Sequence, residues 1–445
     1  MQKPLLFRSL VVFAVVTFAI AGVHADDWSQ FRGSSGNGIA NVSQSPTRWS
    51  ETENVVWKTP IAGKGWSSPV VADGKVWLTT AIEERATEEE RIATLERLID
   101  NPRRFGEFRL AKSITLRLIA IDMATGTQQL EIDLVHLDEP DPIHTINSYA
   151  SPTPVIDGDN IYCHFGTFGT ICVNRKTGAE VWRKILPLEH GVGPGSSPFI
   201  YKNALVLICD GMDLQYVTAL DKSTGETLWR TDRPPLDAAS GEQKKSYDTP
   251  IAIVDAAGRE QLICMGSQWL VAYDPTDGSE IWKVRHGKGF SVVPRPVYGD
   301  GTVFISTGFG KPQLWAIRVD GSGDVTDTHV AWIEKKGIPA KPSPLLIDGE
   351  LYVISDDGIA SCFDAASGEL VWKERVGGKY SASPLMAAGK IYLCSHEGKV
   401  TVLKPGRKYS ELAENQLDGQ LMASPAALGD YLLIRSDKAL YRIAE

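Results

Sequence analysis

The chain has 445 residues, 43% hydrophobic and 23% charged, the balance of a soluble globular protein rather than a disordered or fibrous one. Its net charge of −9 argues against a nucleic-acid or anionic-membrane partner, which would call for basic patches.

The first 25 residues read as a secretory signal peptide. Lys3 and Arg8 precede an apolar run from Leu10 to Ile20, and Val23-His24-Ala25 puts small residues at −3 and −1 of a cleavage point. That run is too short to span a bilayer, which takes about 20 residues, and no cysteine follows it to accept a lipid. The mature chain is therefore expected to be exported, periplasmic or secreted, with no integral membrane segment. A leader over residues 26–48 follows.

From residue 49 the chain repeats itself. A Ser-Pro-like dipeptide and a short apolar strand recur with proline at 69, 152, 198, 250, 296, 344, 384 and 425. Every spacing but the first suits a four-stranded propeller blade. In each unit the proline opens strand A, a turn such as Asp73-Gly74 leads into strand B, and strands C and D share a hairpin. The hairpin motif is A-x-D-x-x-T-G-x-x-x-W, clearest from Ala219 to Trp229. Glycine supplies the positive φ of a tight turn, while Asp and Thr oxygens take up turn amides. The tryptophan offers a large apolar face suited to docking between blades. Variants run from Cys172 to Trp182, Ala272 to Trp282 and Cys362 to Trp372; blade 5 has a longer hairpin, Ala316 to Trp332. Blade 1 carries Leu130 at this position, and blade 7 lacks the tryptophan hairpin. Trp182, Trp229, Trp282, Trp332 and Trp372 are thus expected to be structural docking residues.

The eighth unit stops after strand C, Ala439 to Ile443. Asn54-Val55-Val56-Trp57-Lys58 reads like its missing strand D, so Trp57 joins the docking set. The predicted fold is all-β: an eight-bladed propeller of four-stranded antiparallel blades over residues 49–445, closed by an N-terminal strand. A monomer is expected. The long first interval holds an insertion, residues 83–113, in the B-to-C loop of blade 1. Helix formers from Glu83 to Ile99, with Ile92, Leu95, Leu98 and Ile99 on one stripe, predict a helix there. It either covers the rim or acts as a lid or docking arm.

Strand alternation puts the D-to-A and B-to-C loops on one face, where the loops are longer and binding concentrates. Trp66, Tyr149, Tyr247, Asp248, Arg295 and Lys341, close before the starting prolines, are expected to ring the channel mouth. Nearby loops add His144, Asn147, His190, His286 and Tyr380. Such a mixture could grip a small ligand or peptide; the alternative is that these groups plug the channel and satisfy one another. The six cysteines lack metal-binding spacing. Most read as buried thiols, and Cys163 with Cys172, flanking one hairpin, is the one pair to test for a disulfide.

The hairpins in register resemble the tryptophan-docking repeat of pyrroloquinoline-quinone (PQQ) type β-propellers over residues 49–445. The enzymes of that family hold PQQ and calcium in the channel, with an aspartate base and often two adjacent cysteines. No such set matches residue by residue, and neither adjacent cysteines nor a CxxCH haem site is present. No catalytic residue, metal or cofactor is therefore predicted. PQQ and calcium belong to an alternative, a quinoprotein dehydrogenase acting on alcohols or sugars. The nearer comparison is the non-enzymatic branch, which includes the propeller subunit of the outer-membrane β-barrel assembly machinery. The leader Asp27-Trp28-Ser29-Gln30-Phe31-Arg32-Gly33, followed by Gly36-Asn37-Gly38, is similar to the start of many exported PQQ-like propellers and is expected to pack across the ring near its closure. The resemblance implies a binding scaffold for an envelope protein or a small ligand.

Overall fold

The computed structural model describes residues 27–99 and 101–445, so the expected signal peptide lies outside the described residues. Short apolar strands alternate with tight turns in which two consecutive residues hold positive φ, as at Asp73 (49°) and Gly74 (69°), and again at Asp300-Gly301 and Asp348-Gly349. This is the turn geometry that matches strand twist in a two-residue hairpin. The strands build eight antiparallel sheets around one axis, over residues 70–138, 155–184, 199–232, 251–285, 297–334, 345–375, 385–416 and 426–444. Strand A of each blade faces the axis. The eighth blade takes its outer strand from the other end of the chain: Val55–Pro60 pairs antiparallel with Ala439–Ala444. The ring therefore closes as expected, with no unpaired edge left at the seam.

One irregularity recurs in all eight blades. Between strands C and D the register slips by one residue at the motif position, for example beside Ala219, Cys172 and Cys362. This β-bulge leaves one residue of strand D unpaired and twists the strand locally. The skipped residues, such as Leu228, Val181 and Val56, face solvent. In six of the eight blades a tryptophan follows and turns inward against the next blade.

The docking contact has two parts. Indole Nε1 of Trp57, Trp182, Trp332 and Trp372 donates to a main-chain carbonyl of the neighbouring blade at 2.9–3.0 Å; Trp229 does the same to Pro275 at 3.3 Å. For Trp57, Trp182, Trp229 and Trp332 the turn glycine of that neighbour lies flat on the ring. A Cβ at Gly278 would stand 2.4 Å from Trp229, and one at Gly225 2.6 Å from Trp182. The motif glycine thus permits both the turn and the close approach.

Blades 4 and 7 depart from the pattern. The long blade 5 hairpin adds Gly323–Asp324 as a fifth strand, parallel to the outer strand of blade 4. It covers Trp282, whose Nε1 donates to Gln261 Oε1 at 2.7 Å within its own blade; Gln261 Nε2 then reaches the Val319 carbonyl of blade 5 at 3.0 Å. In blade 7 Ala413 holds the tryptophan position. Trp49, from the segment leading to the closing strand, is buried in the same core cluster and stacks tilted on Tyr392. The leader strand Ile39–Ala40 also pairs parallel with Leu385–Ala387, making the leader part of blade 7.

Three sequence expectations need correction, in the start of blade 2, the start of the helix and the burial of its stripe, and the cysteine pair singled out for a disulfide is found apart. Strand A of blade 2 starts at Val155, so Thr153-Pro154, not the proline at 152, is its dipeptide. Glu83–Arg85 continue strand B instead of starting the helix, because Glu83 pairs with Ile114 across the blade 1 hairpin. The helix runs Glu88–Leu98 behind a Thr87/Glu90 capping box, and of its apolar stripe Leu95 is buried while Leu98 is half exposed. Cys163 pairs with Ile171, one residue before Cys172, so the two thiols point to opposite faces of the sheet and both are free.

Candidate functional site

The residue before each strand-A proline carries a hydroxyl in seven of the eight blades. Its role is to link blades. Ser68 N–H donates to Thr153 Oγ1, Thr153 N–H to Ser197 Oγ, and Ser197 N–H to Thr249 Oγ1, at 3.0–3.2 Å. The series resumes from Arg295 N–H to Ser343 Oγ, then Ser383 and Ser424, at 2.9–3.0 Å. Proline next in chain has no N–H to compete for these acceptors. The result is a belt of hydroxyls around the channel at the start of the inner strands.

Below the belt the channel is crossed by the leader. Trp28 bridges Val71, Ser29 accepts from Ile156 N–H, and Gly38 accepts from Met386 N–H, each partner three residues further along strand A than the belt residue. Arg295, the one belt position without a hydroxyl, fixes the crossing: its guanidinium donates to the Phe31 carbonyl at 2.7 Å and the Pro250 carbonyl at 2.8 Å. Gly36 lies so close to that guanidinium that a Cβ would overlap it. Arg32 reaches the Pro344 carbonyl at 2.6 Å from the leader itself.

Above this plug the channel opens into a cavity of 380 Å³ on the face of the D-to-A loops. Phe31 enters from the leader, and Phe290, Phe309, Met422 and Val293 add apolar wall. Thr153, Ser197, Thr249, Ser383 and Ser424 of the belt line it as well. At the rim, the insertion contributes Arg104 and Glu107, and its Phe108–Arg109 pairs with Ile143–His144. Arg104 also lies 3.7 Å from Glu242, which accepts from Lys245 at 2.6 Å. The insertion of blade 1 is thereby tied to the loop between blades 3 and 4. Burial lowers the pKa of both Lys245 and His144.

Of the residues expected at the mouth, Trp66, His144, Asn147, Tyr247 and Lys341 line the cavity. Lys341 is paired with Asp356 at 3.2 Å, and Asn147 spends its amide on the Val192 and Pro194 carbonyls. The others turn away. Tyr149 is buried with its hydroxyl on the Asp141 carbonyl, and Tyr380 is fully buried. Asp248 accepts from Met265 N–H, and burial lifts its carboxyl well above the usual range. His190 Nε2 accepts from Thr167 N–H, and His286 Nε2 meets the Gly266 carbonyl; burial brings each ring down to about 4. Arg295 holds the leader. The belt hydroxyls and Phe31 were missed, although the recurring Ser/Thr before proline was the readable signal.

The donor set does not suit PQQ with calcium. Calcium takes six to eight oxygens, several from carboxylates. The cavity-lining carboxylates are Glu107 and Glu242, both committed to ion pairs. Among the described residues no group of three or more His, Cys, Asp or Glu could hold a metal ion.

A family model described as outer membrane protein assembly factor BamB matches residues 116–260 and 266–436. No functionally curated protein matches the chain. Among solved structures, BamB from Moraxella catarrhalis is 14% identical with TM-score 0.53, covering 76% of this chain and 94% of that one. A europium-containing methanol dehydrogenase is 10% identical with TM-score 0.65, at 94% and 91% coverage. Quinohemoprotein alcohol dehydrogenase from Comamonas testosteroni is 12% identical with TM-score 0.62, at 94% and 80%. At these identities the likeness is one of fold, shared by an assembly factor and by enzymes.

Proposed function

This chain belongs to the PQQ-like propeller family described as outer membrane protein assembly factor BamB, and from that premise we propose that it is an exported binding scaffold whose central cavity takes a small ligand. The carrying observation is the 380 Å³ cavity itself: closed below by the leader, walled by phenyl rings and hydroxyls, and open to the loop face. A pocket of this size, mostly apolar with a few placed polar groups, is the usual form of a small-molecule site. No helix among the described residues is long and apolar enough to cross a membrane.

Calorimetric titration of a small-molecule panel tests the reading. Saturable binding lost in Val293→Trp, which fills the cavity, is the expected result. Binding unaffected by that change would place the site elsewhere. The family description favours a second reading, in which the same loop face holds an envelope protein; pull-down from envelope extract with and without residues 86–110 tests it. The dehydrogenase alternative is checked by titrating PQQ with calcium and assaying alcohols and sugars with an artificial acceptor. Saturable binding with turnover would replace the scaffold reading.

A further inference from the structure

The belt leaves hydroxyl protons without acceptors at the foot of the cavity. The oxygens of Thr153, Ser197, Thr249 and Ser424 each accept one N–H from the preceding blade. Among the described residues none of the four donates to a protein acceptor in return. All four are buried and all four line the cavity, and the first three lie on consecutive blades as one arc. A hydroxyl has one donor and two acceptor positions. With one acceptor position engaged by the belt, each hydroxyl keeps its proton and one lone pair, and the proton is the part with no partner. A buried donor without an acceptor is costly, so this arc is matched to a ligand that brings acceptor oxygens.

Charge narrows the class. Arg32, Arg295 and Arg435 are buried around the channel and bond to carbonyl, amide and hydroxyl oxygens; among the described residues none of them has a carboxylate within ion-pair distance. Arg295 grips the carbonyls of Phe31, at the cavity floor, and of Pro250, next to Thr249. Buried cations without a carboxylate partner favour an anion close by. Asp248, the acid beside Thr249, is not among the cavity-lining residues: it accepts from Met265 N–H, and burial raises its carboxyl well above the usual range. The remaining wall is apolar, with Phe31, Phe290, Phe309 and Met422.

We propose that the cavity takes a small monocarboxylate with an aromatic or branched aliphatic body, its carboxylate received by the hydroxyls of Thr153, Ser197 and Thr249. This rests on the reading of the cavity as a ligand site. The phenyl rings hold the body, and the belt discriminates acid from neutral analogue.

Phenylacetate and the near-isosteric phenylacetamide, titrated calorimetrically into the full chain, test this directly. The acid is expected to bind about tenfold or more tighter than the amide. Thr249→Val should lower affinity for the acid by about tenfold, with Thr249→Ser restoring it, and melting curves checking that both variants fold. Equal affinity for acid and amide, both lost in Val293→Trp, would overturn the carboxylate assignment and leave the ligand site standing. An unchanged acid affinity in Thr249→Val would also overturn it. Failure of both probes to bind the wild-type chain at millimolar concentration would overturn the assignment; if the wider panel also failed, the ligand-site reading would fall with it.

Discussion

At the scale of single residues, glycine separates two effects that usually come together. Gly278 and Gly389 have nearly the same backbone, φ +72° and +73°, but Gly278 lies on Trp229 while nothing stands within 4 Å of a Cβ at Gly389. Gly389→Ala is expected to cost about 1–2 kcal/mol, the strain of a left-handed L-residue. Gly278→Ala adds overpacking against the indole and is expected to cost about 2–5 kcal/mol. Urea unfolding of the pair measures the difference, and equal losses would show that the tryptophan contact contributes nothing. Buried histidines give a second prediction. His190 and His286 are held neutral by burial, near 4 against an ordinary value of 6.5. The unfolded chain therefore binds protons that the folded chain refuses, and their contribution is present above pH 6.5 and lost as pH falls toward 4. Asp248 works with the opposite sign, since its folded carboxyl keeps a proton that the unfolded one releases. Comparison with His286→Gln isolates the histidine part: the variant should show a flatter fall in stability from pH 6.5 to 4. The same slope in both proteins would contradict the assignment.

At the scale of elements, the two N-terminal and insertion segments carry different loads. Trp57 is buried, and its strand supplies the whole outer edge of blade 8. Trp57→Ala should cost about 3–5 kcal/mol, and deletion of residues 26–60 should destabilise the whole ring. The insertion has Leu95 and Phe108 as its buried apolar groups, and the hairpin beneath it pairs from Lys75 to Asp122 without it. Replacing residues 86–110 with a short flexible turn should shift the melting temperature little, while removing Arg104 from Glu242 and opening the cavity rim. A collapse in melting temperature would show that the insertion is part of the core. Strand and hairpin limits were legible because period-2 apolar runs, Asp-Gly turns and the tryptophan motif are local signals. The helix start was not, because strand B runs on through Glu83-Glu84-Arg85, three charged residues whose place is set by pairing across the hairpin with residues some thirty positions away.

At the scale of the whole molecule, the blade count and the donated strand could be read from the repeat, whereas the cavity could not. Nothing local marks Phe31 as its floor: that depends on the leader reaching Arg295, 264 residues further along the chain. Asp248 and Tyr247 illustrate the same limit. They are neighbours in sequence just before a blade start, yet Tyr247 lines the cavity and Asp248 points into blade 4 toward Met265. Alternation within extended backbone decides such pairs, and its phase is fixed by the ring and not by the residues themselves.

The belt has one more consequence. Its links run from blade 1 to blade 4 and again from blade 5 to blade 8, with no hydroxyl link from 4 to 5 or from 8 to 1. Each gap is spanned by a buried arginine instead: Arg295 onto the Pro250 carbonyl, and Arg435 onto Ser67 and the Thr79 carbonyl. Within the belt the ring divides into a pair of four-blade arcs stapled at opposite ends of one diameter, the staple between blades 4 and 5 being backed on the outside by the strand Gly323–Asp324. A molecule held between the Thr153–Thr249 arc and Ser424 would act as a strut between the arcs.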